Sequence, residues 1–176
     1  DEGLDTGPVV RQERVAISDE DTTGSLTDSL ADLGARVLVD TIEPWVCGEL
    51  SARTQAEEEA TYSPKIAAAD GKLDWSRPAE TLWREVRAYN PWPGSHTVYE
   101  GRRLKVHRAL PLGIPPIASP GTVVEVRKHD ETPLVGVQTG RGVLVLKSVQ
   151  LEGKKESSVE EFIRGHRDFV GSSLVR

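Results

Sequence analysis

A chain of 176 residues, 37% hydrophobic and 28% charged, has room for one medium or two small globular domains and too much apolar text for a disordered polymer. Its uncharged runs fall far short of the roughly 20 apolar residues that span a bilayer, and a single cysteine, Cys47, excludes an intrachain disulfide framework. The net charge of −6 conceals a change of sign: residues 1–69 hold 5 Lys/Arg against 15 Asp/Glu, and residues 70–176 hold 17 against 13. Two units with different jobs are expected, the second able to help hold a polyanion. The chain opens Asp1-Glu2-Gly3 without a basic, apolar leader, and cytoplasm is the expected compartment.

In chain order, Gly3-Leu4-Asp5-Thr6-Gly7-Pro8 reads as a turn. Val9, Val10, Val15, Ala16 and Ile17 suggest strand, broken by the polar run 11–14. A helix is expected over 23–46, capped by Asp21, Thr22 or Thr23 and stopped at Gly48. Its stripe of Leu26, Leu30, Leu33, Val37, Thr41 and Trp45, widened by Leu38 and Ile42, must pack on something. One short strand region is too little for a doubly wound sheet, so residues 1–48 look like the tail of a larger α/β domain or a cover for the second unit. Residues 49–69 read as a polar linker laid on a surface, with Tyr62 and Ile66 as its anchors.

The second unit is expected over 70–176. A short strand at 72–75 leads into a helix capped by Asp74 or Ser76, with Pro78 near its first turn and Leu82, Val86 and Tyr89 on its buried side. Asn90-Pro91-Trp92-Pro93-Gly94 ends it as a stiff turn. Strand text follows at 95–99, 104–109, 121–127, 134–139 and 143–150, then a last helix at 159–164. Five short strands with Gly-containing turns favour a small barrel or sandwich. Trp75, Trp83 and Trp92 are read as core rather than ligand-stacking, and an aromatic content of 5% argues against a stacking platform for single-stranded bases.

His96, His107, His129 and His166 are scattered and share no metal-ligand spacing with Cys47, so no metal is expected. Asp5 admits two readings: an Asx-turn residue holding its loop, or a carboxylate that orients a catalytic histidine supplied from elsewhere, since the first 95 residues hold none. Basic residues fall into groups: Arg102, Arg103, Lys105 and Arg108 around one hairpin, with Arg103 and Lys105 sharing a parity; Lys154 and Lys155 after a turn; Arg84 and Arg87 three apart on a helix. Such groups suit phosphates without base readout, or simply a solvated rim.

Several stretches, taken in order, resemble the methionyl-tRNA formyltransferases: Gly3-Leu4-Asp5-Thr6-Gly7, Thr22-x-Gly24-Ser25-Leu26, Ala60-Thr61-Tyr62, Lys65-Ile66, Asp74-Trp75-Ser76, Arg87-Ala88-Tyr89-Asn90-Pro91-Trp92-Pro93-Gly94, Pro120-Gly121-Thr122 and Gln150-x-x-Gly153-Lys154-Lys155. The resemblance implies an α+β chain: a remnant of a Rossmann-like catalytic domain (1–48), a linker (49–69) and an OB-like C-terminal β-barrel domain with flanking helices (70–176). It implies formyl transfer from 10-formyltetrahydrofolate to the amino group of methionyl initiator tRNA by a longer protein. Asp5 would be one of three catalytic residues, the Asn and His lying in a motif this chain does not contain. The chain alone is therefore expected to be inactive and to bind no folate. Lys65, Arg84, Arg87, Arg103, Lys105, Lys154 and Lys155 are the candidate tRNA-facing residues, and either copies are expected to associate through the exposed face of helix 23–46 or residues 1–48 are expected to be disordered. A sugar-nucleotide N-formyltransferase or a non-enzymatic RNA-binding module are the rival readings.

Overall fold

The computed structural model describes residues 1–127 and 133–174, which form two compact units, 1–65 and 66–176. His129 lies outside the described residues.

The first unit is built on helix α1 (Thr23–Val46). Thr22 and Ser25 start it as a reciprocal capping box, the Ser25 N–H donating to Thr22 Oγ1 at 3.2 Å and the Thr22 N–H to Ser25 Oγ at 3.0 Å. Gly48 stops it in the left-handed region at φ +74°. The strand expected at 9–17 is reduced to one isolated antiparallel bridge between Val9 and Arg53, because an extended segment needs a partner and only Arg53 supplies one. No residue of 1–65 is buried. Leu30, Leu38, Val39, Ile42, Trp45 and Val46 all stand exposed on α1, so this unit has no core of its own. Tyr62, 97% exposed, does not anchor its segment, and Ile66 at 43% does so only weakly.

The second unit holds the core. Helix α2 (Ala79–Ala88) begins after Pro78, whose φ of −63° is already set for the helix by its ring. Neither Asp74 nor Ser76 caps it: the Asp74 carboxylate accepts from the Ser76 N–H at 3.0 Å and hydroxyl at 2.7 Å, closing a turn one step earlier. The Ala79 N–H instead finds the Arg141 carbonyl at 3.0 Å.

The sheet comprises β1 (His96–Tyr99), β2 (Arg102–Leu112), β3 (Val123–Val126), β4 (Leu134–Gln138), β5 (Val143–Leu151) and β6 (Ser157–Ser158), followed by α3 (Val159–Gly165). All pairs are antiparallel in the order β1-β2-β5-β4-β3, with β6 beside β5. The result is a curled half-barrel within a mixed α/β unit. Among the described residues no ladder joins β3 to β1; residues 171–174 bridge that side instead. The Leu174 N–H donates to the Gly121 carbonyl at 2.8 Å, and the Leu174 carbonyl accepts from the Thr97 hydroxyl at 2.9 Å.

Inside the curl, Leu82, Val86, Leu104, Leu144, Leu146, Val149, Phe162 and Phe169 form one core. Full burial stabilises each such side chain by about 1.5–3 kcal/mol. Val124, Val126, Val143 and Val145 form a second cluster on the opposite side, covered by Ile114 and Ala118. Between them, β5 is buried on both faces, which explains its continuous apolar run Val143-Leu144-Val145-Leu146.

Candidate nucleic-acid interface

Strand alternation sends Thr97, Tyr99, Leu104, Val106, Val149 and Leu151 inward, and the residues between them outward. Register then decides what meets on the outer face. Lys105 stands opposite His96 of β1 and opposite Gln150 of β5, while Arg103 stands opposite Val98. Directly opposite residues lie close enough to act on one ligand. A bulge interrupts the β2–β5 pairing between Val106 and Arg108, adding His107 and leaving both His107 and Arg108 outside while Ala109 returns to the core.

The turn after β5 is fastened to this face. The Glu152 N–H donates to the Arg103 carbonyl at 2.8 Å, the Arg103 N–H to the Glu152 carboxylate at 3.2 Å, and the Arg102 guanidinium to the Glu152 carbonyl. The Gln150 amide N–H donates to the Lys154 carbonyl at 2.9 Å. That bond leaves Gln150 Oε1 as an acceptor, so the proton in its 3.0 Å contact with His107 sits on Nε2. Glu156 accepts from the Ser148 hydroxyl and lies 4.0 Å from His107 Nδ1. Lys154 and Lys155, both exposed, are therefore carried on a braced turn at the end of the face that bears Arg103 and Lys105.

The remaining candidates lie elsewhere. On α2, exposed Arg84 is paired to Glu80 at 3.1 Å, and the Arg87 guanidinium sits 4.6 Å over the Trp83 ring. Lys65 ends the first unit and is exposed. Asp5 belongs to that unit too. Its backbone is left-handed at φ +59°, a region Asp tolerates better than most residues. The Asp5 and Gly7 carbonyls both accept from the Gln55 amide at 2.8 Å. The carboxylate that bonds the loop is that of Asp1, which accepts from the Gly3 N–H at 3.1 Å and from the Thr6 hydroxyl, so the Asx role falls to Asp1.

Among the described residues no three His, Cys, Asp or Glu side chains gather as a metal ion would need, and no helix is long and apolar enough to cross a membrane. In the sequence His96 and His107 were weighed only as metal ligands and Gln150 only as part of a family-like stretch, so none was placed on this face; for His107 the period of two from Lys105 was the available signal. Trp92 corrects an expectation. Trp75 and Trp83 are core, but Trp92 is 58% exposed, because its prolines hold it at the tip of a turn rather than on the buried side of α2.

Residues 65–167 match the family model described as "Formyl transferase, C-terminal domain". A methionyl-tRNA formyltransferase of Heliobacterium modesticaldum is 41% identical over 174 residues, covering 94% of this chain and 54% of that protein. The methionyl-tRNA formyltransferase of Bacillus subtilis is 38% identical over 173 residues, covering 98% and 54%. The chain thus spans about half the length of the curated relatives it matches. The crystal structure of HypX from Aquifex aeolicus in complex with tetrahydrofolic acid has the same fold, with a TM-score of 0.65 at 17% identity over 97% of this chain and 29% of that one.

Proposed function

We propose that this chain, which belongs to the formyl transferase C-terminal domain family, is part of a cytoplasmic methionyl-tRNA formyltransferase and contributes tRNA binding. The observation that carries the reading is the outer sheet face. Arg103 and Lys105 share one side of β2, and Lys154 and Lys155 extend it on a turn held by backbone bonds. That arrangement suits phosphates, which are held by charge-assisted hydrogen bonds without reading sequence. The OB-like description of residues 70–176, and of 1–48 and 49–69 as catalytic-domain remnant and linker, belongs to the same proposal. A unit with no buried residue cannot stand alone, so α1 is assigned as a cover for upstream chain; without that chain, its stripe is where copies would associate.

In the longer protein the reaction would move a formyl group from 10-formyltetrahydrofolate to the amine of methionyl initiator tRNA. The residues of 1–65 do not fit the folate donor: none is buried, so nothing there excludes water from a pterin. Asp5 is assigned as the carboxylate that orients an upstream histidine, fixing its tautomer and stabilising its protonated form when it takes the amine's proton. Arg84, Arg87 and Lys65 stay as candidate contacts of lower local charge, Arg84 because Glu80 already holds it.

The test is a titration of the 176-residue chain with initiator tRNA at several salt concentrations. The logarithm of affinity should fall linearly with that of salt, by roughly 0.9 for each phosphate held. Binding that is insensitive to salt, or tighter binding of a sugar nucleotide, would overturn the reading. The chain should bind without transferring formyl.

A further inference from the structure

We propose that Trp92 is a stacking platform for an unpaired nucleobase of the bound RNA, so that the interface adds an aromatic contact to its phosphate contacts. The inference rests on the tRNA-binding reading and goes beyond it, because cations alone do not distinguish paired from unpaired RNA.

An exposed tryptophan alone carries little. This one is built in place. Pro91 and Pro93 fix the backbone on either side, and a residue before proline is itself restricted. Both ends of the turn are tied down, the first to the sheet and the second back to the end of α2. The Asn90 amide donates to the His107 carbonyl at 3.3 Å, and the Gly94 N–H to the Tyr89 carbonyl at 2.9 Å. Gly94, at φ +82°, packs so closely on Gly71 that a Cβ added at Gly71 would lie 2.4 Å from the Gly94 carbonyl oxygen. The indole is therefore presented without a large ordering cost on binding, which favours affinity.

Its neighbours choose the occupant. The Lys105 methylenes run past Gly94, about 3.9 Å from where a Cβ would stand, so the cationic strand of the outer face borders this turn. His96 Nδ1 contacts the Gly94 carbonyl at 3.2 Å, and Arg87 lies in the last turn of α2 immediately before it. An exposed ring on a turn bordered by basic side chains suits a base with its attached phosphate: the ring takes the π-face and a cation takes the charge.

The experiment compares wild type, Trp92→Leu, Trp92→Phe and Lys105→Ala in the full 176-residue chain, against initiator tRNA and a blunt, fully paired RNA duplex. Trp92→Leu should weaken tRNA binding roughly five- to a hundredfold with the salt slope unchanged, leave duplex binding as it was, and be largely rescued by Trp92→Phe. Lys105→Ala should weaken both ligands and lower the salt slope by about 1. Unchanged tRNA affinity in Trp92→Leu, with Lys105→Ala still impaired, would overturn the stacking role alone. Equal losses on tRNA and duplex would overturn it as well, since stacking needs an open base. No salt-dependent tRNA binding by the wild type would overturn the parent reading together with it.

Discussion

Replacing Thr97 by valine tests how the open side of the half-barrel is held. The Thr97 hydroxyl accepts from Trp75 Nε1 at 3.2 Å and donates to the Leu174 carbonyl at 2.9 Å, and all three residues are at least 95% buried. Valine keeps the shape and removes both bonds. Each buried group left without a partner costs about 1–3 kcal/mol, so the indole N–H and the carbonyl together cost about 2–6 kcal/mol. Burying a methyl in place of the hydroxyl returns about 1 kcal/mol, leaving a net loss near 3 kcal/mol. Thr97→Ser is the control, since it keeps the hydroxyl and loses one methyl, about 1 kcal/mol. Urea unfolding followed by the fluorescence of buried Trp75 and Trp83 measures both, and the midpoint should drop further for valine than for serine at constant m. A valine variant as stable as the serine variant would refute the claim that this hydroxyl ties residues 171–174 to β1. Below its unfolding transition, Thr97→Val should keep the wild-type salt slope for tRNA, because the phosphate-facing residues lie on the other face.

Gly140→Ala should prevent stable folding of the second unit, since the new Cβ would meet the Ser76 carbonyl oxygen at 1.8 Å against rigid backbone; a circular dichroism melt matching wild type would contradict this. Lys154→Ala with Lys155→Ala should lower the salt slope for tRNA by up to about 2, and unchanged affinity at two salt concentrations would remove that turn from the interface. Burial, and then neighbouring Glu100, raise the Tyr99 phenol above its ordinary value. Its neutral form therefore contributes stability that is complete below the unfolded value near 10 and is lost as pH climbs through the folded one. Tyr99→Phe should flatten that alkaline loss, with Tyr89, raised mainly by burial, still contributing; superimposable stability profiles above about pH 9 would contradict it. In a complete, active protein, Asp5→Asn should leave the fold intact and cut turnover strongly, as loss of an orienting carboxylate does; full turnover would end its catalytic assignment.

The periodic text was the readable part. Helix 23–46, the five strand runs and the last helix stand where apolar spacing and turn residues put them, because those signals are local. What failed was what depends on partners. Val15 to Ile17 have β-branched text but nothing to pair with, and Tyr62 has nothing to lie on. Asp74 looked like a cap because an acid before a helix usually is one, but Ser76 took the carboxylate first. On the interface, the parity of Arg103 and Lys105 was legible from spacing alone. The approach of the 152–156 turn, His96 and Gln150 was not, because register across β1, β2 and β5 is a tertiary fact. Pro91 and Pro93 were read as a stiff turn, which they are; that stiffness displays Trp92 instead of burying it.

The overall charge of −6 would repel a polyanion if charge were spread evenly, so the sheet must concentrate the exception. Alternation does this at no cost to the core. Leu104 and Val106 fill the inside of β2 while Arg103 and Lys105, one step away, face water. Glu152 keeps its negative charge there, but its N–H and carboxylate bond the Arg103 backbone and its carbonyl the Arg102 guanidinium, so the acid also anchors the Lys154–Lys155 turn. Arg103, Lys154 and Lys155 are exposed and Lys105 half-buried, which keeps desolvation costs small and, in the proposed reading, would make binding fast, reversible and steeply salt-dependent. Charge of that kind orients a nucleic acid but cannot tell its paired from its unpaired parts. Discrimination would therefore have to come from a feature with shape, and on the turn that borders Lys105 the exposed indole of Trp92 is the proposed one.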